Sequence, residues 1–292
     1  MNFTVLHVSG TGAKTAFVFA GGGSLGAIQV GMLRALLAAG VRPDLVIGTS
    51  VGALNAGYFA GAPNSEGVAR LEDIWCGLRR SQIFPITFLS AFGLLKHPGY
   101  IADPGGLRQL IETNLPYGRL EDAAMPVHIV ATDVQGIAVL LSEGSAVDAI
   151  LASAAIPGVF PPVAIDGQML MDGAIATNTP VRAAADLGAS RIVVLPTGFA
   201  CALEEPPKGA IARVLHAITL LIAWQLVRDL EQLPDEIEVS VVPTLCPLDV
   251  SPFDFSASRD LIERAADSTQ KWIDLGGLSR RSLPEAFQAH RH

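Results

Sequence analysis

The stretch TAFVFAGGGSLGAIQVGMLRALLAAGVRPDLVIGTSVGALNAGYFAG, residues 15–61, packs two units of strand, glycine turn and helix into direct succession. Thr15 to Ala20 is a short β-branched and aromatic run that ends in three glycines and reads as a buried strand. From Leu25 the apolar residues Leu25, Ile28, Met32, Leu36 and Ala39 recur at three- and four-residue steps until Gly40 and Pro43 close the segment. That period makes a helix with one core face. Leu45 to Ile47 forms a second strand, and Gly52 to Ala60 a second helix of mostly small residues, stopped by Gly61 and Pro63. No charged side chain falls between Val51 and Ala60, so this helix is expected to be buried. Two such units in a row call for parallel strands joined by crossover helices.

The same alternation continues outward. Gly106 to Asn114 is amphipathic, Val127 to Thr132 reads as a strand, and Ala146 to Ser153 as a short helix. The passage IPGVFPPV, Ile156 to Val163, is loop, and the strands Val163 to Ile165 and Gln168 to Met171 flank the hairpin turn signal Asp166-Gly167. Thr179 is expected to cap a helix that has Pro180 at its first position and ends at Gly188, ahead of a strand over Arg191 to Leu195. A helix about Val214, a strand over Ile237 to Val242 and a helix over Ser258 to Ile273 follow. Residues Ile74 to Tyr100 read as irregular; within them Ile83 to Leu95 carries Phe84, Phe88 and Phe92 four apart. That spacing fits a lid or interfacial surface as well as a helix face packed on the core. The expected class is α/β, a mostly parallel central sheet with helices on both faces.

Composition narrows the function. With 292 residues, 50% hydrophobic and 16% charged, the chain is neither disordered nor too short for a large core. A formal net charge of -8 argues against nucleic acid as a partner and weakens attraction to anionic membranes. Cys76, Cys201 and Cys246 are odd in number and scattered, which argues against a disulfide framework or a zinc site and fits a reduced, cytoplasmic setting. MNFTVLHVSGTGAK lacks a basic segment followed by an apolar one, so no secretory signal is expected. A mean hydropathy of +0.42 raises the question of a membrane span. The longest apolar run, Val214 to Val227, falls short of the roughly 20 residues a spanning helix needs, although it can lie against lipid on one side.

The chemistry concentrates in three places. Gly48-Thr49-Ser50-Val51-Gly52 is a GxSxG between a strand and a helix, the setting in which a tight turn exposes a serine hydroxyl above a sheet. The helix that follows turns its N-terminal amides toward the serine and favours developing negative charge. Gly21-Gly22-Gly23-Ser24-Leu25-Gly26 follows the first strand, and its glycines can turn backbone amides toward one point as an oxyanion hole requires. The same six residues satisfy the dinucleotide fingerprint GxGxxG. Against that reading, the acid available to hold a ribose, Asp44, precedes its strand and sits at the wrong end of it. Of the six histidines, His7, His290 and His292 lie near the chain ends and His128 is inside a strand, leaving His97 and His216 as candidate bases. Asp172, in Met171-Asp172-Gly173-Ala174, is the better candidate: it follows an apolar strand, where desolvation raises a carboxylate toward basicity.

Taken together, the GGGxxG loop, the GxSxG turn and the later DGA resemble the patatin-like phospholipases, a family of lipid acyl hydrolases. The likeness runs over roughly Thr15 to Leu195 and takes in SAAIPGVFPPV, Ser153 to Val163. It implies a three-layer α/β/α fold within one domain over 1–292, with a catalytic core over 15–195 and C-terminal helices and one further strand over 196–292. It also implies hydrolysis of carboxylic esters, with Ser50 as nucleophile, Asp172 as base without a histidine, Gly48 and Gly52 shaping the nucleophile turn, and the amides of Gly21, Gly22 and Gly23 as the oxyanion hole. No metal or organic cofactor is called for, and the partner is a lipid or acyl-ester substrate, with peripheral contact to a membrane. The family often carries Arg or Lys before the last glycine of the first motif, where this chain has Leu25. That departure leaves neutral lipid esters and acyl thioesters open as substrates. The competing readings are an esterase of the α/β-hydrolase type using a histidine, and a lipid-binding protein without turnover.

Overall fold

The structure, a computed structural model, describes residues 14–83, 100–198, 209–246, 248 and 250–279. The strands are β1 (Lys14–Phe19), β2 (Leu45–Thr49), β3 (Val127–Asp133), β4 (Ala138–Leu141), β5 (Val163–Ile165), β6 (Gln168–Asp172), β7 (Ala189–Leu195) and β8 (Glu238–Val241). The helices are α1 (Gly26–Ala38), α2 (Val51–Gly61), α3 (Ser65–Gly77), α4 (Arg80–Ile83), α5 (Gly105–Asn114), α6 (Ala146–Ser153), α7 (Val181–Asp186), α8 (Ala210–Glu231) and α9 (Ser258–Asp274). The sheet runs in the order β5-β6-β3-β2-β1-β7-β8, with β4 also paired to β3. From β3 to β8 the neighbours are parallel, while β4, β5 and β6 join antiparallel.

Both faces of the sheet are covered, because the central strands are apolar on both sides of the pleat. In β1, Phe17 and Phe19 pack on one face with α1, α2, α3, α5, α6 and α9. Ala16 and Val18 turn to the other face, against α7 and α8. The result is the expected three-layer α/β/α arrangement.

Register along β3 brings the chemistry together. β4 occupies one edge of β3 over Ile129 to Thr132, so β2 and β6 must share the other. Val130 pairs with Thr49 at the end of β2, and the next residue, Ala131, pairs with Asp172 at the end of β6. The two strand ends therefore meet head to head, one residue apart along β3. The close meeting requires Gly173, since a Cβ there would collide with the Val130 carbonyl oxygen and come within 3.0 Å of Thr49 Cγ2.

Some local expectations change. The stretch read as irregular from Ile74 begins inside α3, whose start is capped by the Asn64 side chain accepting from Gly67 N–H at 2.9 Å. Val68, Leu71 and Trp75 form its buried stripe, so cap and stripe hold a helix ahead of the prolines and glycines that follow. β4 is a further strand, four residues long, formed because its pairing with β3 is available. Thr179 does not cap α7: the flanking position is Pro180, with φ -78° and ψ 55°, and the Thr179 hydroxyl is buried with no partner among the described residues. Pro180 is not helical there, which sets Thr179 one residue too early. The 83–95 segment, with its three phenylalanines, lies outside the described residues beyond Ile83.

Gly173→Ala should force β6 away from β3 at the Val130 carbonyl, with a cost of about 1–3 kcal/mol for the overpacking and separation of the Asp172 and Ser50 side chains. A thermal melt read beside the hydrogen-exchange protection of the Asp172 amide, which donates to Ala155 O at 3.0 Å, checks this; unchanged protection would contradict it.

Candidate active site

Ser50 occupies the turn between β2 and α2 with φ 56° and ψ -124°, a left-handed conformation that costs a non-glycine residue about 1–3 kcal/mol. Its neighbours make the turn sterically feasible: a Cβ on Gly48 would strike the Gly52 carbonyl, and one on Gly52 would strike the Phe19 carbonyl at the end of β1. The strained backbone is held from the side. Ser50 N–H donates to Ser153 Oγ at 2.8 Å, and the Ser153 hydroxyl donates in turn to the Val130 carbonyl. Ser153 is wholly buried at the end of α6 and was not singled out from sequence, although it opens the SAAIPGVFPPV passage.

Asp172 stands opposite. Ser50 Oγ donates to Asp172 Oδ2 at 2.7 Å, and Ala174 N–H donates to Oδ1 at 2.8 Å. The peptide of Asp172 is pinned as well, with Thr132 Oγ1 donating to its carbonyl at 2.8 Å. The carboxyl is 4% exposed, and this desolvation raises its pKa from 3.8 to about 6, against the opposing pull of the Ala174 and Ser50 hydrogen bonds. A carboxylate so placed is ionised at neutral pH yet basic enough to accept a hydroxyl proton.

The glycine loop lies on the same sheet edge because β1 and β2 are parallel neighbours, Phe19 beside Gly48. Its three glycines are not equivalent. Gly21 N–H donates to the Asn178 carbonyl at 3.1 Å, and Gly21 O accepts from Thr197 Oγ1 at 2.6 Å. Gly21 is thus committed to holding the loop, a departure from the expectation that all three glycines present amides. The N–H groups of Gly22 and Gly23 have no acceptor among the described residues, and Gly23 takes φ 61°. At the start of α2, Ala53 and Leu54 N–H donate to the Ser50 carbonyl, while the N–H groups of Val51 and Gly52 have no acceptor among the described residues.

Other candidates are placed elsewhere. Among the described histidines, His128 has Nδ1 2.7 Å from Ser142 Oγ, with burial holding its pKa down to about 4; neither it nor His216 hydrogen-bonds Ser50. His97 lies outside the described residues. Asp44 closes the opposite end of the sheet, its carboxylate accepting from Thr15 N–H at 2.7 Å. Leu25 is 8% exposed and belongs to the core, within reach of Gly198, so the departure from the family pattern fills space between the first helix and the sheet and offers no apolar surface to a ligand. Cys76 is a free thiol, and no group of three metal-ligating side chains occurs among the described residues.

A family model described as patatin-like phospholipase matches residues 17–185. Patatin-like phospholipase domain-containing protein 7 of Mus musculus is 30% identical over 192 residues, covering 64% of this chain and 14% of its own length. Neuropathy target esterase sws of Drosophila melanogaster is 27% identical over 191 residues, 64% of this chain and 13% of its own. The chain therefore spans a small part of the curated relatives it matches. Among solved structures, VipD from Legionella pneumophila aligns with a TM-score of 0.49 at 16% identity, covering 90% of this chain and 67% of that one.

Burial of Asp172 has a consequence for stability. Its folded pKa lies above the ordinary value, so the folded state binds this proton more tightly, and stability falls as pH rises from about 4 to about 6. Asp172→Asn, which keeps the shape and removes the charge, should raise Tm at pH 8 and give little gain near pH 4. Melts of both proteins across that range test it, and a Tm gain independent of pH would count against a desolvated carboxylate.

Proposed function

Because the chain belongs to the patatin-like phospholipase family, we propose that it is a serine acyl hydrolase of lipid esters that works through Ser50 and Asp172. The observation that carries this reading is the 2.7 Å hydrogen bond from Ser50 Oγ to Asp172 Oδ2. Asp172 takes the hydroxyl proton as Ser50 Oγ attacks the ester carbonyl, and the resulting oxyanion is received by the N–H groups of Gly22 and Gly23, supported by the start of α2. Collapse of the tetrahedral intermediate breaks the C–O bond, and the leaving alcohol takes the proton from Asp172. Water, deprotonated by Asp172, then attacks the acyl-serine, the same amides hold the second oxyanion, and its collapse breaks the acyl–Oγ bond, Ser50 taking the proton back from Asp172 as the carboxylic acid leaves. Ser153 keeps the Ser50 backbone in its strained turn throughout. The reaction calls for no metal or organic cofactor.

A lipid substrate calls for contact with a lipid surface. Among the described residues no helix is long and apolar enough to cross a membrane. Support for peripheral contact comes from α8, where Ile218, Leu221 and Trp224 are 46%, 68% and 63% exposed on one face. The adjoining residue Gln225 reaches the Asp172 side of the site, donating to Ala176 O at 2.6 Å and accepting from Asn178 N–H at 3.1 Å. The net charge of -8 favours a neutral or zwitterionic surface over an anionic one.

Ser50→Ala should abolish both ester hydrolysis and fluorophosphonate labelling in a protein that still melts cooperatively. Asp172→Asn should cost about 10²–10⁴-fold in kcat/KM, and the wild-type kcat/KM should rise with pH through about 6 and then level off. Hydrolysis retained by Ser50→Ala, or a profile flat between pH 5 and 8, would refute the assignment. For the surface, Leu221→Glu combined with Trp224→Glu should weaken cosedimentation with phosphatidylcholine vesicles while leaving hydrolysis of a short soluble ester near wild type. Equal losses in both assays would point to a structural effect instead.

A further inference from the structure

Two fully buried carboxamides stand out in helices built mostly of apolar and small residues. Gln29 in α1 and Asn55 in α2 are 0% exposed, and Trp75 in α3 is 1% exposed. Polar groups of this kind lower stability relative to well-packed apolar side chains unless fully hydrogen-bonded. Here the bonding is complete. Gln29 Nε2 donates to Ala20 O and Leu195 O, both at 2.8 Å. Gln29 Oε1 accepts from Asn55 Nδ2 at 2.7 Å, and Asn55 Nδ2 also donates to Gly26 O at 2.9 Å. Trp75 Nε1 donates to Asn55 Oδ1 at 2.9 Å and ends the chain. Only one orientation of each amide satisfies these partners, since a flip of Gln29 would face its oxygen toward two carbonyls.

The backbone atoms chosen are informative. Ala20 O is the last carbonyl before the glycine loop, and Gly26 O belongs to the first residue of the helix after it. Leu195 O also accepts from Ala20 N–H at 3.2 Å, which ties the departure of the loop to β7. The chain of side chains therefore grips the loop at both ends, and its central member, Asn55, sits on the helix that begins at the Ser50 turn. The Trp75 ring and Val51 also border Gly26, where a Cβ would lie 2.8 Å from the ring and 2.6 Å from Val51 Cγ2.

We propose that Gln29, Asn55 and Trp75 are positioning residues for ester hydrolysis: their hydrogen-bond chain sets where the Gly22 and Gly23 amides stand relative to Ser50 Oγ. The inference rests on the acyl-hydrolase reading for its kinetic consequence. Donors aimed at a developing oxyanion contribute through preorganisation, so a small displacement of the loop weakens binding of the transition state more than binding of the ester.

The first test is Trp75→Phe, which removes the donor and keeps a ring to stack on Phe255, whose centroid is 6.1 Å away. It should lower kcat about ten-fold, about 1.4 kcal/mol, with KM nearly unchanged. The affinity of a trifluoromethyl ketone, which forms a tetrahedral oxyanion on Ser50, should fall by a similar factor. Gln29→Leu combined with Asn55→Leu removes both amides together and should lower kcat further. Val239→Ala, a cavity in the core on the other side of the sheet, serves as the control for general destabilisation: Tm falls and kcat holds. Amide shifts of Gly22 and Gly23 in Trp75→Phe, read by NMR, report the loop without any turnover. Wild-type kcat, inhibitor affinity and glycine shifts in Trp75→Phe would overturn the proposal, as would an equal kcat loss in Val239→Ala. If wild-type protein hydrolyses no ester and takes no fluorophosphonate label, the acyl-hydrolase reading fails, and displaced glycine shifts would then still establish the positioning.

Discussion

The arrangement of the site depends on one edge of β3. That strand offers consecutive residues, Val130 and Ala131, to two strands arriving from opposite directions, so Thr49 and Asp172 end side by side. A one-residue slip of β6 would turn Asp172 to the other face of the sheet, because side chains alternate with a period of two. Register is therefore the constraint on which the Ser50 to Asp172 distance depends. Several contacts defend it: Gly173 beneath the Val130 carbonyl, Thr132 on the Asp172 carbonyl, and Ser153 bridging Val130 and Ser50.

Around that edge the molecule accepts local instability. Ser50 is held in a left-handed turn, Asp172 is desolvated, and the Gly22 and Gly23 amides carry no acceptor from the described residues. Each of these is unfavourable alone, and together they fit the proposed reaction, in which strain, a raised pKa and unpaired amides are what a nucleophile, a base and an oxyanion site need. The compensation comes from two apolar cores, one on each face of the sheet. Helices α2 and α1 transmit that rigidity directly, for each starts at the site and runs into the larger core.

Much of this was legible in the residues. The period of Leu25, Ile28, Met32 and Leu36, the apolar strands, and the glycines at 21–23, 48 and 52 identify two strand–turn–helix units whose turns share an edge. Asp166-Gly167 marks its hairpin, with φ 50° and 76° at the two positions. Gln29 and Asn55 also left a trace, as single carboxamides amid apolar and small residues, a pattern that signals a buried polar contact. What sequence left obscure was partnership. Nothing in Ser153 distinguishes it from an ordinary helix-terminal serine, and nothing in Thr179 announces that its hydroxyl is buried without capping a helix.

From sequence alone, then, follow the α/β class, the serine turn, the glycine loop and Asp172 as candidate base, because these rest on local steric demands and short-range periodicity. Only the tertiary structure decided which amides are left unpaired, that Gly21 is committed to Asn178, and that Leu25 is core. It also decided that the carboxylate of residue 172 meets the hydroxyl of residue 50. Those outcomes depend on strand register and on contacts between segments more than a hundred residues apart, which no local pattern encodes.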